Sequence, residues 1–328
     1  MGLMGQRIDP LARGMLLMYE QRFGLKRRPF PATPDSALFY PATPHETALA
    51  SLLRALNENE GLLLLTGAPG TGKTVLGQVL LERLEGDVAS VFLTNSHFPE
   101  RVSLLQAILF DMGLPYEDGS EQVLRLRLTD QILKNCAAGK RTVAVIDEAQ
   151  YLSADLLEEL RLLGNLEAGV DKAFQAVCLA QMAIVETLKQ PLLAAWTQRL
   201  AVHAQLEPLS AAEACDYLLH HLRLAGGKPD KIIDESGLEV LARGTRGIPR
   251  LLNHAAHQAL VLADAAEMET VDAEAALEAL AMLGLHAEES LAGSAQETLG
   301  EIADDEQGEM DGEAAPSFRL THETRKTA

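Results

Sequence analysis

The sequence predicts an α/β fold, a parallel sheet flanked by helices, followed by a small all-α unit and an acidic tail. Three observations predict it. Between residues 45 and 208 short apolar runs alternate with segments of helical periodicity, the pattern of parallel strands joined by crossover helices. Within that stretch four leucines, Leu62 to Leu65, run into a glycine-rich turn and then a helical pattern marked by Val75, Val79, Leu80 and Leu84. From Ser210 to about residue 285 only helical spacing is found.

The first element, residues 1–44, is irregular, with prolines at 29, 31, 34 and 41, and is read as an arm packing on the core. Phe23, Pro29 and Phe30 have two readings there: they line the base side of a nucleotide site, or they clamp the arm onto the core. Residues 45–208 form the α/β domain. A helix runs from His45 to Asn59, ending at Gly61, and a strand then carries the leucines. Val88 to Thr94 is a second strand, and helices follow at 102–112 and 121–136. Thr142 to Ile146 is a buried strand that stops at Asp147-Glu148-Ala149-Gln150. Ser153 opens a helix through Leu163, Ala173 to Ala180 is a strand ending at Gln181, and a short helix, Leu192 to Gln198, leads to a strand over Ala201 to Leu206.

Glu207-Pro208 marks the boundary to a helical unit over residues 209–285. Ser210 and Glu213 form a capping box for its first helix. Asp234 opens a second, Pro249 takes a first-turn position in a third, and Asp272 opens a fourth. Residues 286–328 lose apolar periodicity and are expected to be a disordered tail. It holds eleven acidic and three basic residues from Glu288 onward, a large part of the chain's net charge of −19.

Composition narrows the function classes. An acidic chain is poorly suited to bind DNA alone, because Lys and Arg supply most non-specific affinity. No run reaches eighteen apolar residues, so no membrane segment is expected. The N-terminal apolar run, Met15 to Tyr19, is too short for a secretory signal, and Gln6 breaks a myristoylation pattern. The cysteines, Cys136, Cys178 and Cys215, are three and far apart, which suggests reduced thiols and a cytoplasmic location.

The glycine-rich turn carries the chemistry. Gly67-Ala68-Pro69-Gly70-Thr71-Gly72-Lys73-Thr74 fits GxxxxGK(S/T) between a strand and a helix, the context of a phosphate-binding P-loop (Walker A). Successive main-chain N–H groups at a helix start form an anion nest, and glycine lets the backbone come close to the phosphates. Lys73 is expected to reach the β- and γ-phosphates of ATP, and the Thr74 hydroxyl to bind Mg²⁺. The strand ending in Asp147-Glu148 reads as Walker B: Asp147 as a holder of Mg²⁺, Glu148 as the group that orients or deprotonates the attacking water. Gln181, at the end of the next strand, either touches the γ-phosphate or water or bonds a neighbouring loop. His254 and His257 share a helix face but lack a third ligand, so packing or solvation is expected there and not metal binding. Arg243, Arg246, Arg250 and His254 make a modest basic patch.

This plan resembles that of AAA+ ATPases. More narrowly, FGLKRRPF, GLLLLTGAPGTGKT, IDEAQYL, NLEAG, QRLAVHAQLEPLS and TRGIPRLLNHAAHQALVLA resemble the ExeA/GspA family, associated with general secretion, and its relatives TniB, TnsC and MuB. The resemblance covers roughly residues 19–284. It implies that Gln181 is a sensor 1 residue, although Ala180 stands where glycine is usual. It implies that Arg250, in GIPR, is a sensor 2 arginine. Arg199 falls where an arginine finger acts in a neighbouring subunit's site, or else it is a surface arginine paired with Glu207 or a similar acid. The implied function is Mg-ATP hydrolysis coupled to oligomer assembly or remodelling of a partner. The alternative is an ATP-gated DNA-binding or transposition regulator with slow hydrolysis. A homo-oligomer, ring or filament, with shared ATP sites is expected, together with a protein partner; DNA is a further candidate partner.

Overall fold

The leucines of residues 62–65 occupy the interior of a five-stranded parallel sheet. In a computed structural model that describes residues 18–84, 86–168 and 171–285, the strands are β1 (Leu62–Gly67), β2 (Val88–Leu93), β3 (Arg141–Ile146), β6 (Phe174–Ala180) and β7 (Leu200–Leu206), in the order β2-β3-β6-β1-β7. A two-residue antiparallel pair, β4 (Glu167–Ala168) with β5 (Asp171–Lys172), precedes β6 and was not foreseen from the sequence. β1 and β6 are buried throughout, as expected of strands covered on both faces, whereas the edge strand β7 alternates until its last residue.

Helices cover both faces. On one, α2 (Thr43–Asn57) and α3 (Lys73–Glu82) pack on Leu63, Leu65, Val143, Val145, Val177 and Leu179. Gly77 allows α3 to lie this close, because a Cβ there would sit 2.6 Å from Leu179 Cδ1. On the other face α4 (Arg101–Asp111), α5 (Glu121–Ala137) and α6 (Ala154–Leu163) pack on the alternate residues Leu64, Ala144, Ile146 and Cys178. Glu159, fully buried under α5, is paired with Arg125 at 2.6 Å. Short helices α7 (Ile184–Leu188) and α8 (Ala194–Arg199), with Trp196 fully buried, lead into β7.

After β7 come α9 (Ala211–Leu224), α10 (Glu235–Gly244), α11 (Pro249–Ala265) and α12 (Ala273–Met282). The capping box on α9 is formed, with Ser210 accepting from Glu213 N, and Asp234 and Asp272 cap their helices. The arm is not wholly irregular: α1 (Met18–Arg22) and a 3₁₀ turn at Ser36–Leu38 lie in it. Phe23 and Phe30 share one apolar cluster with Leu218, Leu222, Leu252 and Ala256 of the helical unit, and the Pro29 carbonyl accepts from His221 Nδ1 at 3.2 Å. The reading of these three residues as the base side of the site is therefore wrong: they clamp the arm to the helical unit. The expected acidic tail, residues 286–328, lies outside the described residues. Among the described residues no helix is long and apolar enough to cross a membrane.

Candidate functional site

All strands of the main sheet run parallel, so their carboxyl ends meet along one edge, where α/β sheets place ligands. The register sets who meets whom. Thr66 lies opposite Ala180 and Ile146 opposite Cys178, which brings Gly67, Asp147 and Gln181 to the same edge. The residues singled out in the sequence at 67–74, 147, 148 and 181 therefore converge; Arg250 joins them from α11.

The 67–74 loop is held in the shape that anion binding requires. Gly70 and Gly72 have φ of +83° and +99°, angles that L side chains avoid. Gly72 is the N-cap of α3 and has no side chain to occupy the helix's leading N–H groups, which leaves them for an anion. Lys73 Nζ donates to the carbonyls of Gly67 (3.0 Å) and Ala68 (2.9 Å), spanning the loop from inside. Burial lowers the Lys73 pKa, while the carboxylates of Glu148 and Asp147 oppose that shift.

Thr74 Oγ1 donates to Asp147 Oδ2 at 2.5 Å, and Glu148 N donates to Asp147 Oδ1 at 2.9 Å. Ser96, from the loop after β2, ties the Asp147 carbonyl with its hydroxyl at 2.5 Å. Burial pushes the Asp147 carboxyl up, against the hydrogen bonds that favour its charge. A buried lysine and a buried aspartate, each driven toward neutrality by desolvation, fit a site where phosphate and a divalent cation supply the counter-charge. A hydroxyl and a carboxylate are also the hard oxygen donors that Mg²⁺ takes beside phosphates. The residues fit Mg-ATP.

Glu148 adopts φ 53°, ψ 36°, a left-handed conformation that costs a non-glycine residue roughly 1–3 kcal/mol. Its Oε2 accepts from Gln150 Nε2 and, at 3.4 Å, from Gln181 Nε2. The strand-end Gln181 thus bonds Glu148. Gln150 has no marker in the sequence beyond its place in DEAQ.

The helical unit closes the cleft from the other side. Arg250 N donates to Gly70 O at 3.1 Å, and a Cβ on Gly70 would sit 2.8 Å from Arg250 Cβ. Phe39, Tyr40, Leu209, Tyr217, Asn253 and His254 line the remainder of an open cleft of ≈ 1160 Å³ including the solvent at its mouth. The arm's contribution to this wall comes from residues 31–40, just beyond Phe23, Pro29 and Phe30. His45, a lone histidine that no sequence pattern marks, holds the loop through Nε2 and Thr71 O at 2.9 Å, and burial lowers its pKa. Arg199 is outside the cleft: exposed at the end of α8, it donates to Asn165 Oδ1 at 3.0 Å. Tyr19 OH and His257 Nδ1 are 3.0 Å apart, so His257 is packed; among the described residues no cluster of three or more His, Cys, Asp or Glu could hold a metal.

A phosphate loop opening a helix at the carboxyl edge of such a sheet, with an acidic strand end beside it and a helical lid, defines a P-loop NTPase of the AAA class. Residues 53–188 match the family described as AAA domain. Over 247 residues the chain is 39% identical to general secretion pathway protein A of Aeromonas hydrophila, an alignment covering 75% of this chain and 45% of that one. The chain carries an AAA domain and is GspA-like over that alignment, and it spans less than half the length of that relative. Among solved structures it is similar to Aeropyrum pernix ORC2 in ADPNP–ADP complexes (18% identity, TM-score 0.57, 73% of this chain and 66% of that one). It is similar also to Drosophila ORC bound to DNA (15%, TM-score 0.59, 88% and 70%). At these identities the likeness is one of fold.

Proposed function

We propose that this chain binds Mg-ATP, hydrolyses it, and couples hydrolysis to assembly of its own copies or remodelling of a protein partner. The observation that carries the reading is the 2.5 Å bond from Thr74 to Asp147, which joins the phosphate loop to the acidic strand end with Glu148 alongside. Lys73 and the 67–74 main chain hold the phosphates. Mg²⁺, held by Thr74 and Asp147, would neutralise charge on the β- and γ-phosphates. Glu148 orients the attacking water and takes its proton, and Gln181 stands at the same carboxylate. Arg250 lies near enough to Lys73 to lower its pKa, a place from which a guanidinium answers to the γ-phosphate. Arg199, exposed and remote from its own cleft, is assigned to the site of a neighbouring copy in a ring or filament. The three cysteines are free thiols, which suits the cytoplasm, the proposed setting.

The test is Mg-dependent ATP hydrolysis measured across protein concentration for the parent and Arg199→Ala. Expected are turnover per chain that rises with concentration and a loss on the order of 10³-fold in Arg199→Ala confined to the assembled protein. Equal turnover in dilute and concentrated protein would refute the shared site. Slow turnover with salt-sensitive, ATP-dependent retention on DNA would favour the ATP-gated switch instead.

A further inference from the structure

Glu148 sits in a left-handed conformation, and its carboxylate is held by two glutamines of unequal standing. Gln150, on the 3₁₀ turn Ala149–Tyr151, makes two directed bonds: its amide nitrogen donates to Glu148 Oε2, and its amide oxygen accepts from the main-chain N–H of Gln181 at 3.0 Å. A carboxylate only accepts and a main-chain N–H only donates, so the amide can face just one way. The Gln181 side chain reaches the same oxygen at 3.4 Å, the long end of a hydrogen bond. Gln181 therefore meets Glu148 mainly through Gln150, by way of its backbone.

We propose that Gln150 is the positioning residue that sets the Glu148 carboxylate and ties it to the end of β6, ahead of the Gln181 side chain. This rests on the reading of Glu148 as the group that orients water. Among the described residues the Gln150 amide is bonded to Glu148 and to Gln181 N, and to neither the 67–74 loop nor Asp147, so its effect on the attacking water passes through Glu148. A displacement of about 1 Å in such a group costs on the order of 10² in rate without a matching loss of binding.

The experiment measures single-turnover Mg-ATP hydrolysis and nucleotide affinity in the parent, Gln150→Glu, Gln150→Met, Gln181→Ala and Glu148→Gln, all at one protein concentration. Gln150→Glu keeps the acceptor for Gln181 N and replaces the donor to Glu148 with a like charge; Gln150→Met removes both bonds at similar size. Expected are affinities within about threefold of the parent and hydrolysis rates down by about 10²-fold, Gln150→Glu at least as low as Gln150→Met. Gln181→Ala, which keeps its main-chain N–H, should lose less than about tenfold. If Gln150→Glu turns over at the parent rate, Gln150 is only a peg for the β6 end and the inference fails. It fails also if affinity falls in step with rate, or if Gln181→Ala costs more than Gln150→Met. Glu148→Gln separates the levels: full turnover there removes the underlying reading, whereas an inactive Glu148→Gln beside unimpaired Gln150 variants removes this inference alone. Should Gln150→Met not fold, the near-isosteric Gln150→Glu carries the comparison.

Discussion

The two walls of the nucleotide cleft are built on different principles. On the sheet side the working groups are tied to one another and to buried strand ends: Thr74 to Asp147, Asp147 to Glu148 N, Glu148 to Gln150, and Gln150 to Gln181 N. On the lid side Arg250 and His254 are exposed on α11, and polar seams carry the unit. One is Arg250 N to Gly70 O; another is the Glu213 carboxylate, which caps α9 and also accepts from Thr43 N at 2.9 Å at the start of α2. The difference teaches where rigidity is needed. The groups proposed to need sub-ångström placement rest on the sheet, whereas the lid proposed to sense nucleotide meets the loop and α2 through a few polar bonds.

The largest effect belongs to the sheet wall. Lys73→Ala removes a buried ammonium and its charge-assisted bonds, and nucleotide affinity is expected to fall on the order of 10²-fold, read by titration with a fluorescent ATP analogue. A loss no greater than that of Arg250→Ala would reverse the ranking of the walls.

Acid should act first on the lid. Burial brings His221 and His257 down to about 4, with Arg27 and His220 facing the first, and Arg28 and His254 the second. Unfolded histidines take protons near pH 6.5 and these do not until about 4, so their stability contribution is whole above 6.5 and is lost as pH falls between those values. Amide exchange of α9 and α11 is expected to quicken in that window before that of β1 and β6. Earlier loosening of the sheet would contradict the comparison.

The smallest effect tests a seam. Glu213→Ala removes half of a capping box and the acceptor for Thr43 N, at a cost of ~1 kcal/mol, or about 2–4 °C in melting temperature, with little change in the chemical step once ATP is bound. A rate loss equal to that of the Gln150 variants would place Glu213 among the positioning groups.

The sheet wall was far more legible in sequence than the lid wall, for physical reasons. A P-loop is local: its glycines, lysine and threonine are contiguous because one turn makes the whole nest. Asp147 and Glu148 end an apolar strand, and parallel register does the rest. The lid helices showed because their caps and apolar faces are also local. The arm has no period to read, so the sequence leaves Phe23 and Phe30 between the cleft and a clamp, and they fill the helical unit. His45, Gln150 and the second role of Glu213 depend on contacts between distant segments, and no spacing rule encodes them.

The central claim is that Glu148, held at the sheet wall, serves hydrolysis and not binding. Binding and single-turnover cleavage of Mg-ATP by Glu148→Gln test it most directly. The expected result is affinity within about threefold of the parent and cleavage slowed by 10² or more, on the order of what a positioned general base contributes. Cleavage at the parent rate with affinity unchanged would contradict it.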